Sequence, residues 1–209
     1  MPLTYELLAV CPHTGARRGR ITTPRGTVET PAFMPVGTQG SIKTLGAEDL
    51  EAFGFELILS NTYHLSLRPG EDLVERFGGL HDFMGWKGLI LTDSGGYQVM
   101  SLSHMRKIDD DGVRFRSHLD GSEMFLTPEQ SITIQGKLGV DISMCLDECP
   151  PYPCTRDEAA SAMQRTHRWA PRNLLAKREG QNVFGIVQGG VHEDLRRESA
   201  EFISSLPFE

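Results

Sequence analysis

Three segments end apolar runs with acid or amide side chains, two of them beside paired glycines, a pattern suited to holding a polar guest. In Leu91-Thr92-Asp93-Ser94-Gly95-Gly96-Tyr97-Gln98 a carboxylate ends a strand-like stretch, and the two glycines leave backbone amides open to close approach. Asp93 is therefore a candidate acid/base group. A cap on the following helix, with glycines that only turn the chain, accounts for the same residues. In the segment from Val140 to Pro153 an apolar run enters Asp147-Glu148-Cys149 and a proline-stiffened loop. If the strands are parallel, Asp147 or Glu148 emerges at the same rim as Asp93. Ionised carboxylates only accept hydrogen bonds, so such a pair serves proton transfer or a ligand rich in N–H donors. Solvated loop acids are the plain alternative. The third segment, Phe184-Gly185-Ile186-Val187-Gln188-Gly189-Gly190, ends a strand with an amide that donates and accepts, which suits a heterocycle edge. A Gly-Gly turn on its own is common, but three strands with the same ending make a shared ligand rim the more economical reading.

Other chemistry-bearing residues form no such pattern. Cys145, Cys149 and Cys154 lack the paired spacing or histidine partners of a zinc site, and read as buried small hydrophobes or loop thiols. The seven histidines are scattered, without His-x-His or HExxH spacing, and none is assigned as a metal ligand. Arg165, His167, Arg168, Arg172, Lys177 and Arg178 make a basic stretch that is either a solvated helix face or a phosphate-contacting one. Neither a Walker loop nor a G-x-G-x-x-G fingerprint occurs, so nucleotide cofactors have no support.

The elements that must position these residues alternate along the chain. Apolar, strand-like runs occur at Pro31–Val36, Glu56–Leu59, Gly88–Thr92, Val140–Cys145 and Asn182–Val187, nearly continuous in apolar character, as strands buried on both faces are. Helical signals lie between them. Ala47–Phe53 is closed by Gly54, and Pro128–Leu138 is opened by a Thr127/Gln130 capping box and closed by Gly139. A Thr155/Glu158 box opens a stretch toward Lys177 that Pro171 is expected to kink or divide, and a last helix covers Glu193–Ser204. Strand then helix, repeated, predicts an α/β fold with a parallel sheet. Glycines 15, 19 and 26 suggest antiparallel hairpins ahead of the repeat, and Asp111-Gly112 and Asp120-Gly121 suggest a hairpin inserted over Val113–Leu126. Five strands could complete an open doubly wound sheet, whereas an eight-stranded barrel takes about 250 residues and would be unfinished.

Composition agrees with one globular domain spanning residues 1–209. The chain has 209 residues, 39% hydrophobic and 23% charged, and a net charge of −7, which excludes collagen, disorder and coiled coil. No run approaches the roughly 18 apolar residues of a membrane span, so the protein is expected to be cytoplasmic with no membrane partner. The acidic balance argues against a non-specific polyanion binder, while leaving room for a local basic face.

Taken together, Thr30-Pro31-Ala32-Phe33-Met34-Pro35-Val36-Gly37-Thr38, Ser60-Asn61-Thr62-Tyr63-His64-Leu65, Thr92 to Gln98, Asp147-Glu148-Cys149 with Pro151-Tyr152-Pro153, and Gly185 to Gly190 resemble the tRNA-guanine transglycosylase family, also called queuine tRNA-ribosyltransferases. The resemblance runs over nearly the whole chain. It implies a (β/α)8 TIM barrel, incomplete over these residues with about five barrel strands. It also implies an enzyme that exchanges guanine at the wobble position of GUN-anticodon tRNAs for a 7-substituted 7-deazaguanine, through a covalent enzyme–RNA intermediate. Cys149 after Asp147-Glu148 resembles the bacterial version, whose incoming base is 7-aminomethyl-7-deazaguanine.

By the same resemblance Asp93 is the general acid/base, and Asp93, Ser94, Gly95, Gly96 and Tyr97 line the base pocket, with the Tyr97 ring stacking on the base. Asp147 reads the N1–H and 2-amino edge, Gln188 meets the carbonyl, and Cys149 lies among the base-binding positions. The family continues with a glycine-rich strand, an aspartate nucleophile, basic RNA-binding segments and a Cys-x-Cys-x2-Cys…His structural zinc site. No counterparts of these occur among residues 1–209, so the resemblance implies an amino-terminal part without the covalent step, no zinc ligands in this chain, and a homodimer only for the complete enzyme. Two other readings remain: a non-catalytic base-binding subunit or inactive fragment of the family, and a barrel glycosidase using Asp93 and Asp147 as its acid pair. The glycine-rich rims suit a flat base better than a sugar.

Overall fold

The computed structural model describes residues 3–102 and 106–209. The chain opens with a three-stranded antiparallel meander of β1 (Thr4–Val10), β2 (Arg17–Thr22) and β3 (Thr27–Thr30). Then come β4 (Val36–Gly37), α1 (Ala47–Ala52), β5 (Leu57–Ser60), the short helices α2 (Thr62–Leu67), α3 (Glu71–Arg76) and α4 (Leu80–Met84), and β6 (Leu89–Thr92). After α5 (Gly96–Leu102) the chain makes β7 (Arg106–Ile108), β8 (Val113–Arg116) and β9 (Glu123–Leu126). The remainder is α6 (Pro128–Leu138), β10 (Ile142–Met144), α7 (Arg156–Ala176), β11 (Val183–Phe184) and α8 (Glu193–Ser204).

Five of these strands form one sheet in the order β11-β10-β6-β5-β4, every pairing parallel. Each strand lies beside its predecessor, with no reversal of order, so this is not the doubly wound arrangement, in which the order switches direction. The parallel sheet expected from the sequence is present, but four of its five strands are shorter than the apolar runs, β5 alone matching its run in length. Of Pro31–Val36 only Val36 enters a strand, because Pro31 and Pro35 have no N–H for a ladder; the Pro35 carbonyl still accepts Leu59 N at 2.9 Å. Of Asn182–Val187 only Val183 and Phe184 pair.

Alternation along the central strands divides the core. Ile58 and Ile90 face α1, α3, α4 and α6, in a cluster with Leu50, Val74, Leu80 and Leu138. Leu57, Leu89, Leu91 and Ile142 face the other way, packed with Val28 of β3. The period of two thereby fixes where each strand's next side chain points. The inserted element is a three-stranded antiparallel sheet, β7-β8-β9, rather than the single hairpin expected from the two turns. Its underside, Val113, Phe115 and Leu126, is buried against Tyr63, Val99, Leu146 and Trp169.

Both capping boxes form: Thr127 and Gln130 satisfy each other's backbone at 3.0 and 3.2 Å, as do Thr155 and Glu158 at 2.7 and 3.2 Å. Pro171 does not divide α7, which runs unbroken for 21 residues. The buried stripe Ala159, Met163, Thr166, Trp169 and Asn173 spans the proline on both sides, and this packing offsets the missing backbone donor. Among the described residues no helix is long and apolar enough to cross a membrane.

Candidate functional site

Asp93 is placed by strand register. Leu59 pairs with Leu91, and the Asp93 N–H continues the ladder to Ser60 O at 3.2 Å, so Asn61 and Asp93 stand opposite each other just past the ends of β5 and β6. The Asp93 carboxylate accepts four hydrogen bonds. Thr62 N donates at 3.0 Å, Gly95 N at 3.2 Å and Gln98 Nε2 at 2.8 Å, and Asn61 Nδ2 supplies the fourth. Burial pushes the Asp93 pKa upward, and these donors oppose the rise without cancelling it. The cap expected on the following helix is not what forms: the helical N–H bonded by the carboxylate is that of Thr62 in α2, and the Gly95 N–H lies ahead of α5.

Asp147 lies beyond β10, the neighbour of β6. Its Oδ2 accepts from Gln188 Nε2 at 2.6 Å and its Oδ1 from Ser94 Oγ at 3.3 Å. One acceptor thus ties Asp147 to the loop after β11 and the other to the residue following Asp93. Burial raises its pKa to about 6, with a smaller push from the Asp93 charge and opposing pulls from Gln188 and Ser94. The three segments singled out in the sequence therefore meet at one end of three adjacent strands. Chemically this is a pair of carboxylates whose burial favours the protonated form, beside an amide that can donate or accept.

The glycines serve packing as much as access. A Cβ on Gly96 would stand 2.8 Å from Asp147 O, so the β6 and β10 loops touch because residue 96 has no side chain. Gly95 has φ +86°, Gly189 has φ +115°, and a Cβ at Gly189 would sit 2.6 Å from Arg196 N in α8. Tyr97 is 63% exposed at the start of α5, free to lie over a guest. Cys149 is half-buried, and burial together with the Asp147 charge raises its thiol pKa. Cys145 is fully buried in an apolar cluster with Ile132 and Val183.

Several supporting residues carry no signal of their own in the sequence. Asn173 of α7, wholly buried, accepts from Leu146 N at 2.9 Å and donates to Leu146 O at 3.3 Å, while Thr166 Oγ1 accepts from Glu148 N at 3.0 Å. Asp147 is held by the fixed backbone on either side of it. Ser131 Oγ donates to Ser94 O at 2.7 Å, and Ser199 of α8 accepts Gln188 N at 2.9 Å. Gln135 of α6 accepts from Thr92 Oγ1 and Met144 N and donates to Met144 O, joining the β6 and β10 ends.

The basic stretch on α7 turns out to be an internal clamp. Arg165 pairs with Glu148, Arg168 with Asp110 at 2.7 Å and Arg172 with Glu129 at 2.6 Å, and Arg172 also donates to the Asp110 and Asp111 carbonyls. Lys177 pairs with Glu209 and Arg178 with Glu75. Each of these cations has an acidic partner within the chain, and Arg168 and Arg172 tie the β7–β8 turn of the inserted sheet to α7, so the stretch is not a row of unpaired cations.

A family model described as queuine tRNA-ribosyltransferase matches residues 11–209. The chain belongs to the queuine tRNA-ribosyltransferase family. It is 56% identical over 208 residues to a queuine tRNA-ribosyltransferase of Halalkalibacterium halodurans, and 54% identical over 209 residues to that of Bacillus licheniformis. A Listeria welshimeri protein of the same name is 55% identical over 208 residues. In each case the match takes in 99% of this chain and 55% of the relative, so the chain spans about half the length of these family members. The motifs that suggested the family all lie within the matched residues. Among the described residues no three His, Cys, Asp or Glu side chains gather into a metal-ligating group, so these residues do not fit the structural zinc that the resemblance implies for the complete enzyme.

Proposed function

We propose that residues 1–209 form the guanine-recognising half of a tRNA-guanine transglycosylase of bacterial type, with Asp93 as the acid/base group. The observation that carries this reading is the Asp147–Gln188 contact at 2.6 Å, between loops separated by 41 positions in the sequence. A carboxylate beside an amide is the complement of a guanine edge. The carboxylate accepts N1–H and the 2-amino group, and the Gln188 N–H released from Asp147 turns to the carbonyl. Ser94, Gly95, Gly96 and Cys149 complete the walls, and the Tyr97 ring covers one face of the base. Asp93 has a raised pKa and four donors that favour its ionised form, so it can take the proton of an entering base and return it to a leaving one.

In this reading the sequential parallel sheet is five strands of a TIM barrel, with the site at the carboxyl ends of the strands as such barrels place it. The partner is a tRNA anticodon loop with guanine at the wobble position, exchanged for 7-aminomethyl-7-deazaguanine in queuosine formation in the cytoplasm. The aspartate that attacks ribose C1′ belongs, on the family's plan, to a later segment. No nucleophile is assigned among residues 1–209, nor any zinc ligand, and dimerisation is a property proposed for the complete enzyme alone. The chain is therefore expected to bind guanine without exchanging it.

Calorimetric titration tests the reading. Guanine should bind, and hypoxanthine, which lacks the 2-amino group, should bind about 5- to 150-fold more weakly, because leaving acceptor capacity of Asp147 unpaired costs about 1–3 kcal/mol. Equal affinity for the two bases, or no heat from guanine, would refute it.

A further inference from the structure

Whereas the α7 arginines are used internally, the outer face of the inserted sheet carries two cations with no ion-pair partner among the described residues and a third that is paired with one exposed acid. Lys107 and Arg114 are cross-strand partners, Phe125 lies opposite Arg114, and Arg116 opposite Glu123. Residues 114 and 116 share one face, both exposed, while Val113 and Phe115 between them are buried. Among the described residues neither Lys107 nor Arg114 has an ion-pair partner. Arg116 is paired there with one acid, the exposed Glu123, at 3.4 Å. Lys107, Arg114, Arg116, Glu123 and Phe125 line an open concavity of about 600 Å³, three cations to one acid on a chain whose net charge is −7. The Arg114 guanidinium lies 3.9 Å from the Phe125 ring centre, which orders it before any ligand arrives.

The tip of the same sheet reaches the candidate site. His118, in the β8–β9 turn, bonds Tyr63 OH at 2.7 Å and lies 5.5 Å from the His64 ring, and Tyr63 directly follows Thr62, a donor to Asp93. The buried underside and the Arg168 and Arg172 bonds fix the sheet's orientation. Two of the acids of the β7–β8 turn are engaged there: Asp110 pairs with Arg168 of α7, and Asp109 accepts the Asp111 and Gly112 amides.

We infer that the Lys107–Arg114–Arg116 face of the inserted sheet contacts the phosphate backbone of the RNA whose base occupies the Asp93–Asp147 site. This rests on the function proposed above for that site. Two side chains two residues apart on a strand are separated by about 6.8 Å, so this row meets successive charges of an extended backbone without reading sequence. The contact supplies affinity and register, and base choice stays with Asp147 and Gln188.

The test measures binding of a fluorescently labelled anticodon stem-loop RNA by anisotropy across a salt series, and of guanine by calorimetry, on the same protein. Lys107→Ala/Arg114→Ala should weaken RNA binding at least tenfold at low salt. It should also reduce the log–log salt slope by about 1.4, at roughly 0.7 per contact to single-stranded RNA, with guanine affinity unchanged. Glu123→Gln, which frees Arg116, should tighten RNA binding and leave guanine alone. Unchanged RNA affinity and slope in the double variant would overturn the inference. So would a loss of binding to anionic phospholipid vesicles with none to RNA. Failure of guanine to bind the unmodified protein would instead defeat the base-site reading, and the RNA comparison between variants would still decide this one.

Discussion

Replacing Asp147 with asparagine should make the protein more stable at neutral pH while destroying its ability to hold guanine. Burial lifts the Asp147 pKa from the ordinary 3.8 to about 6. The folded state therefore binds a proton more tightly than the unfolded chain, and the stability contributed by the protonated form is lost as pH rises from about 4 through about 6. At about 1.36 kcal/mol for each tenfold change in proton affinity, ionised Asp147 costs the folded state roughly 3 kcal/mol at pH 8. An asparagine side chain is neutral at every pH. Its oxygen can still accept from Gln188 and its amide can face Ser94, so little bonding is lost. Urea titrations from pH 4 to 8 should show the Asp147→Asn variant and the parent alike at pH 4. The difference should grow to roughly 3 kcal/mol in favour of the variant at pH 8, a midpoint higher by about 1–1.5 M for an m-value of about 2–3 kcal/mol/M. Because the comparison is between two proteins at each pH, titration elsewhere cancels. A constant difference, or one that opens on the acid side, would refute the assignment of a buried, destabilising charge to this residue.

Guanine binding should carry the opposite pH dependence. Only ionised Asp147 can accept both N–H groups, so affinity should rise with pH and level off above about pH 7, being about tenfold weaker at pH 5 than at pH 7.5; calorimetry at the two pH values checks this. Gly96→Ala inserts a methyl 2.8 Å from Asp147 O and must push the β6 and β10 loops apart, so guanine affinity should fall at least tenfold while the far-ultraviolet circular dichroism stays the same. Asn173→Ala leaves the buried Leu146 N–H without an acceptor, which costs about 1–3 kcal/mol for that group alone. A lowered denaturation midpoint together with weakened guanine binding is expected, and a loss of stability with base affinity intact would show that Asn173 does not position Asp147.

How far the sequence discloses all this depends on whether a feature is local. The capping boxes at Thr127 and Thr155 form as read, because a cap involves residues three apart and little else. The parallel sheet was legible from its apolar runs, yet its strands end where prolines or departing loops deny the ladder a partner, which depends on the neighbouring strand. The helices α2, α3 and α4 are six, six and five residues long, too short for any periodicity to declare them. Asp93, Asp147 and Gln188 could be singled out because each ends an apolar run, Asp93 and Gln188 beside glycines and Asp147 ahead of a proline-rich loop. Their partners could not: Asn61 matters through the Leu59–Leu91 register, and Asn173 through one turn of a helix that passes behind the β10 loop.

The α7 arginines show the same limit from the other side. A run of cations reads as a surface when acids distant in sequence are ignored, and Glu148, Asp110 and Glu129 lie 17 to 58 positions from the arginines they bind. What separates a structural cation from one available to a phosphate is whether the fold has already supplied its anion. By that criterion Arg168 and Arg172 belong to the scaffold, whereas Lys107 and Arg114, unremarkable in the sequence, have no ion-pair partner among the described residues and stay available to a charged partner.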